Sequence, residues 1–207
     1  MFYASAGYIY IYIYIFAVTL RGLYDTLTFP EGCCEATFSL FPSLRSCLRV
    51  IWLKSIAGSW TTSDRMDELH TLGCVFGCDT NIDVGSCSIE PGDNIKHYLF
   101  CPALWAMAGE ALHVVPPLSI AERLCMASPC IVSFELLAFS YCMYHSTKND
   151  PHCVAMNRSR SSRGELHLRC AGFSRDIVHL IRPGRDVDLS WTPGQLPFSS
   201  SSELEMM

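Results

Sequence analysis

Charge is what this chain has least of. Only 17% of its 207 residues are charged, and 20 acidic residues against 15 basic ones leave a net charge of −5. That balance supplies no global attraction for nucleic acid, so any contact with phosphates has to come from local basic clusters. The signs of familiar enzymes are also missing. There is no G-x-S-x-G nucleophile elbow and no glycine loop to cradle phosphates. No double-aspartate loop is present of the kind a polymerase palm needs for metal-assisted nucleotidyl transfer. Seven histidines and twelve cysteines allow many dyads on paper, such as Cys142/His145 or His152/Cys153, but none stands in a recognisable nucleophile context. The chain is therefore expected not to be an enzyme, and no small-molecule substrate is evident.

Cysteine, by contrast, is abundant. Its irregular spacing is unlike the compact framework of a small secreted disulfide protein, which favours an intracellular reducing compartment with a metal-held subset of thiols. Three thiols and one imidazole fall in a suggestive order: Cys74-x3-Cys78, eighteen residues, then His97-x3-Cys101. Tetrahedral Zn²⁺ sites draw on such N/S ligands, commonly two from a tight turn and two from one helix face. Gly77 precedes the second thiol, where a knuckle needs little steric bulk. His97 and Cys101 share a side if 94–101 is helical, with Asn94 as cap. Four protein ligands leave no position for water, so a zinc ion here is expected to be structural. His97 is followed by Tyr98-Leu99, so the carboxylate of an H-x-E deaminase motif is absent. Cys87, inside the intervening loop, is an alternative ligand.

The residues around these ligands carry a resemblance. Trp60-Thr61-Thr62-Ser63-Asp64-Arg65 precedes Cys74-Val75-Phe76-Gly77-Cys78, and His97-Tyr98-Leu99-Phe100-Cys101-Pro102 leads to Trp105. The order W-x-T-x-x-R, C-x-x-x-C, H-x-x-x-C-P resembles the zinc-binding segment C-terminal to the polymerase in non-LTR (LINE-type) retrotransposon reverse transcriptases. Phe134–Phe139 and Tyr144–Asp150 are similar to the helix that trails that segment. The likeness covers residues 43 to 153. It implies a nucleic-acid-binding accessory module without polymerase activity, contacting single-stranded RNA or DNA.

The expected fold is mainly α: a small zinc-knuckle module packed with several helices and flanked by irregular termini. Ser43 to Gly58 is the clearest helix, with Leu44, Cys47, Leu48, Ile51 and Trp52 forming one stripe of 3.6 period. Arg45, Arg49 and Lys54 fall outside that stripe and, with Arg65, are the candidates for positioning a phosphate backbone. Trp60 and Trp105 bracket the ligands; packing is expected of them ahead of base stacking. Residues 79–93 read as an acidic exposed loop with an irregular hairpin across Val84 to Ile89. Helices are expected over 102–113, over 119–126 behind the capping-box pattern Ser119-Ile120-Ala121-Glu122, and from Pro129 through Thr147.

The flanks read differently. Residues 2–20 carry no charge and include the alternating run Tyr8 to Ile15. A translated TA repeat encodes such a run without selected structure; a membrane anchor through 2–20 is the alternative, its length just meeting a bilayer core. Residues 21–42 read as linker. Residues 154–207 read as a basic, serine-rich and largely disordered tail, with a small helix or strands in 164–192 between glycine-proline breaks. The competing functions are a membrane-anchored small protein and a mobile-element relic with no function.

Overall fold

The computed structural model describes residues 33–66, 73–79, 81–84, 87–159 and 163–183. Among them the expected mainly helical fold is present, in eight helices and one two-stranded hairpin. Helices α1 (Cys33–Leu40) and α2 (Ser46–Ile56) come first, joined by a 3₁₀ turn at Phe41–Ser43. Strands β1 (Ile82–Val84) and β2 (Cys87–Ile89) pair antiparallel, with Ile82 opposite Ile89. Then follow α3 (Ile95–Phe100), α4 (Pro102–Leu112), α5 (Ile120–Arg123), α6 (Ile131–Asn149), α7 (Pro151–Ser159) and α8 (Arg163–Ile181).

Of the stripe foreseen over 43–58, Leu44, Leu48 and Trp52 are each at most 4% exposed, as is Ile56 beyond it, while Cys47 and Ile51 are partly buried. Each such side chain removed from water contributes about 1.5–3 kcal/mol. Gly58 ends the helix in a left-handed turn at φ 60°, a conformation a Cβ would strain. Ser119 and Glu122 form the reciprocal capping box that opens α5.

Helix α6 is the axis of the molecule. Phe134, Leu137, Ala138, Phe139, Met143 and Tyr144 are all buried, and α2, α4 and α8 pack around it. A helix apolar nearly all round can only sit inside such a ring. Its one buried acid, Glu135, pairs with Arg182 at 2.6 Å, and Arg182 also donates to the Leu112 carbonyl at the end of α4.

Two expectations are corrected here. The linker assigned to 21–42 is helical from Cys33, and Thr37 is fully buried, its hydroxyl donating to the Cys125 carbonyl at 2.7 Å. Of the largely disordered tail assigned from 154, residues up to 159 belong to α7 and 163–181 form α8, while 184–207 lie outside the described residues. Leu166, Cys170, Ile177, Val178 and Ile181 are buried along α8, with Phe173 partly so. Apart from the adjacent Ile177 and Val178, those positions advance by three and four, an amphipathic period that Gly164, Gly172 and Ser174 obscured. Asp150 fixes the junction. Its Oδ1 accepts from the backbone N–H groups of His152 and Cys153, and Arg169 of α8 grips its carboxylate.

No helix among the described residues is long and apolar enough to cross a membrane. The Tyr/Ile run at 2–20 lies outside the described residues, as do the side chains of Arg158, Arg160 and Arg163.

Candidate metal centre

The knuckle is built by a turn and a helix start. The backbone N–H of Gly77 donates to the Cys74 carbonyl at 2.9 Å, and Gly77 takes φ 78°. That left-handed step turns Cys78 back toward Cys74, which is why glycine stands there. Across from it, Asn94 caps α3 by accepting from the His97 N–H at 2.8 Å. His97 sits in the first turn of α3. Cys101 sits at the joint where α3 ends and Pro102 opens α4.

All four predicted ligands converge. One donor atom from each of Cys74, Cys78, His97 and Cys101 lies within 4.8 Å of the others, so this cluster could hold a metal ion. The Sγ atoms of Cys74 and Cys101 are 3.8 Å apart, and those of Cys78 and Cys101 are 3.6 Å apart. A tetrahedral ion with bonds of about 2.3 Å to sulfur sets ligand-to-ligand edges of about 3.8 Å. Cys74, His97 and Cys101 are at most 1% exposed, while Cys78 is half-buried. Both ring nitrogens of His97 are buried without a hydrogen-bond partner. An orphaned imidazole of this kind is costly unless something else satisfies it, and a cation between it and the sulfurs would satisfy one of its two nitrogens.

The thiols respond to each other and to burial. Burial pushes the Cys74 thiol up to about 12 and Cys101 well above the ordinary thiol range. Hydrogen bonds from the Cys101 and Cys74 sulfurs pull Cys78 down. Ligand thiols must be deprotonated to bind, and a central cation reverses the penalty of ionising the two buried ones. Cys87, the alternative ligand, opens β2, and its side chain lies outside the described residues.

Behind the cluster stands a polar hub that the sequence did not announce. Asp93, placed in an exposed acidic loop by the sequence reading, is 2% exposed. Its Oδ1 accepts from the hydroxyls of Tyr98 at 2.8 Å and Tyr144 at 3.0 Å. Its Oδ2 accepts from Ser63 N–H at 2.8 Å, Ser63 Oγ at 2.5 Å and Lys148 Nζ at 2.8 Å. Burial pushes this carboxyl up, but the bonds from Lys148, Ser63 and Tyr98 outweigh it and leave the group below its ordinary range. Lys148, at the C-terminal end of α6, is thus the hub's counter-ion. Tyr98 connects hub to metal cluster: it follows His97, and its hydroxyl accepts from the Val75 N–H at 3.2 Å. Asn157 of α7 donates to the Cys74 carbonyl at 3.0 Å, a second hold on the knuckle. No spacing rule would have found Asp93 or Asn157, because Asn157 meets the Cys74 carbonyl, and Asp93 meets every partner but Tyr98, only across the fold.

The tryptophans pack, as expected. Trp60 is fully buried, stacked on Tyr144 at 5.2 Å and on Tyr98 at 6.1 Å between centroids. Trp105 is 2% exposed, donates to the Tyr98 carbonyl and lies under the Arg123 guanidinium. Neither indole offers a face to a base.

The four predicted phosphate contacts do not share one environment. Arg45 donates to the carbonyls of Ile181 and Leu180, both at 2.7 Å, and so closes the C-terminus of α8. Arg49 donates to Ser46 Oγ within its own helix, and Lys54 lies 3.3 Å from the Tyr141 hydroxyl. Lys54 and Arg65 are exposed and Arg49 is half-buried.

Comparison of the chain with protein-family models, curated proteins and solved structures returns no match.

Proposed function

We propose that Cys74, Cys78, His97 and Cys101 hold one structural Zn²⁺, and that the module ordered around it contacts single-stranded RNA or DNA without polymerase activity. The observation that carries this reading is the convergence of three thiols and an orphaned imidazole at tetrahedral edge lengths. Soft N/S donors suit zinc and not hard oxygen-seeking ions. Four protein ligands leave the ion no open position, so its contribution is to folding. In small zinc peptides that contribution is about 10–16 kcal/mol at neutral pH. Here the ion ties the 73–79 turn to the α3–α4 joint, and Tyr98 extends the tie to α6.

The nucleic-acid part is supported by the likeness of the ligand order to LINE-type reverse transcriptases and by the cations that remain at the surface. In this reading Arg49 and Lys54 of α2 and Arg65 beyond it neutralise phosphates, whereas the guanidinium of the exposed Arg45 is already engaged by the Leu180 and Ile181 carbonyls. Binding of this kind works by counterion release, so affinity falls steeply with salt.

The test has two stages. Metal analysis of the full chain purified under reducing conditions is expected to give one zinc per chain, and Cys101→Ser to lose it and melt at lower temperature. A Cys101→Ser protein with full zinc and unchanged melting refutes the centre. Fluorescence anisotropy with labelled single-stranded oligonucleotides is then expected to show salt-dependent binding. Replacing Arg49, Lys54 and Arg65 with alanine should reduce the slope of log K against log salt by about 2. An unchanged slope refutes these contacts and leaves the metal centre standing.

A further inference from the structure

The four ligands are not equally protected. Cys74 and Cys101 are 1% and 0% exposed, whereas Cys78 is half-buried and stands on the loop side of the knuckle. Its sulfur also makes the shorter of the two recorded sulfur contacts, 3.6 Å to Cys101 against 3.8 Å between Cys74 and Cys101. A disulfide needs those atoms about 2.05 Å apart. The remaining approach falls to a residue carried on a glycine turn, not on a helix. Accessible thiolates are the ones oxidised first, and a resolving thiol beside them completes the reaction.

Resting on the metal-centre reading, we propose that the centre is a redox switch: a peroxide oxidises Cys78, Cys101 closes a disulfide onto it, and the zinc ion is released. The Cys78 thiolate attacks one peroxide oxygen and breaks the O–O bond, giving a sulfenic acid and hydroxide. The Cys101 thiolate then displaces hydroxide from that sulfur and forms the S–S bond. In sum, two thiolates and one peroxide become one disulfide and two hydroxides. The two electrons the peroxide gains are those the sulfurs lose. Only Cys74 and His97 remain as ligands, too few to hold the ion in a closed tetrahedron. The 73–79 turn then loses its metal tie to the α3–α4 joint.

The experiment titrates the zinc-loaded full chain with hydrogen peroxide. A chromophoric chelator follows zinc, and mass spectrometry of alkylated digests maps the disulfides. Zinc release is expected to rise in step with the Cys78–Cys101 bridge and to reverse with dithiothreitol and added zinc. The variant Cys78→His keeps four N/S ligands without the oxidisable one, and its release should slow at least tenfold. Release while Cys78 and Cys101 remain unbridged overturns the proposal. So does release from Cys78→His at the wild-type rate, or zinc retained while other thiols oxidise. Bridge mapping in the unmodified chain decides the matter even if the variant fails to fold. A chain that carries no zinc before peroxide is added overturns the metal reading and the switch with it.

Discussion

Replacing Asp93 with asparagine tests whether the buried hub holds the knuckle against α6. The side chain is inaccessible, and its ion-pair partner Lys148 is 11% exposed. Asp93→Asn keeps the shape but removes the charge that Lys148 faces, and turns one acceptor atom into a donor. The N–H and hydroxyl of Ser63 or the hydroxyls of Tyr98 and Tyr144 then confront an amide NH₂. Stranding one member of a buried ion pair costs about 3–5 kcal/mol. Some of that is returned here, because Lys148 also donates to the Thr61 carbonyl at 2.7 Å. A loss of about 3 kcal/mol is therefore expected. In a chain of this size that lowers Tm by about 6–12 °C, a large share of the 5–15 kcal/mol typical of native stability. The assay is urea unfolding of the zinc-loaded chain, run beside Lys148→Met and the double variant. Removing both partners leaves no stranded charge, so the double variant should cost at least about 2 kcal/mol less than the sum of the singles. Zinc content should stay unchanged, since Asp93 supplies no ligand. A loss under 1 kcal/mol, or strict additivity, refutes the reasoning.

Gly77→Ala places a Cβ on a residue at φ 78°; a loss of about 1–2 kcal/mol is expected by thermal melting, together with weaker zinc retention in a chelator competition. Gly109→Ala is expected to lower Tm as well, because a Cβ there would meet Pro116 Cγ at 2.7 Å and the Val114 carbonyl at 2.8 Å. His145 carries a pH dependence. Burial first, then the charges of Lys54 and Lys148, holds it down to about 4. The folded state therefore binds this proton less readily than the unfolded one, so stability is full above the ordinary histidine value near 6.5 and is lost as pH falls toward 4. One proton sets a ceiling of about 1.4 kcal/mol per pH unit, reduced here because the ring is partly exposed. Unfolding free energies from pH 7 to pH 4 for the chain and for His145→Gln should differ in slope with that sign; parallel profiles refute it.

The four candidate metal ligands were legible because each clue is local. A glycine before a thiol, a helix cap three residues before an imidazole, and a proline after the last thiol each describe one turn of backbone. The same locality made α2, the capping box and α6 readable from period and cap chemistry. What failed to show itself was non-local. For 164–192 the sequence left helix and strand open, because charged residues and Gly164, Gly172 and Ser174 interrupt the apolar stripe, and only burial against α6 declares it core. Arg45 looked like a free cation because nothing nearby reveals that the end of α8, some 136 residues on, arrives with bare carbonyls.

Asp93 marks the division most clearly. By itself the sequence determined the helical periods, the turn at Gly77 and the two candidate ligand pairs, since these depend on residues a few positions apart. Whether an aspartate after Pro91-Gly92 faces water or five donors depends on where Ser63, Tyr144 and Lys148 come to rest. Only the tertiary structure decided that, because burying a carboxylate is tolerable only when chain segments remote from it supply its hydrogen bonds and its counter-ion.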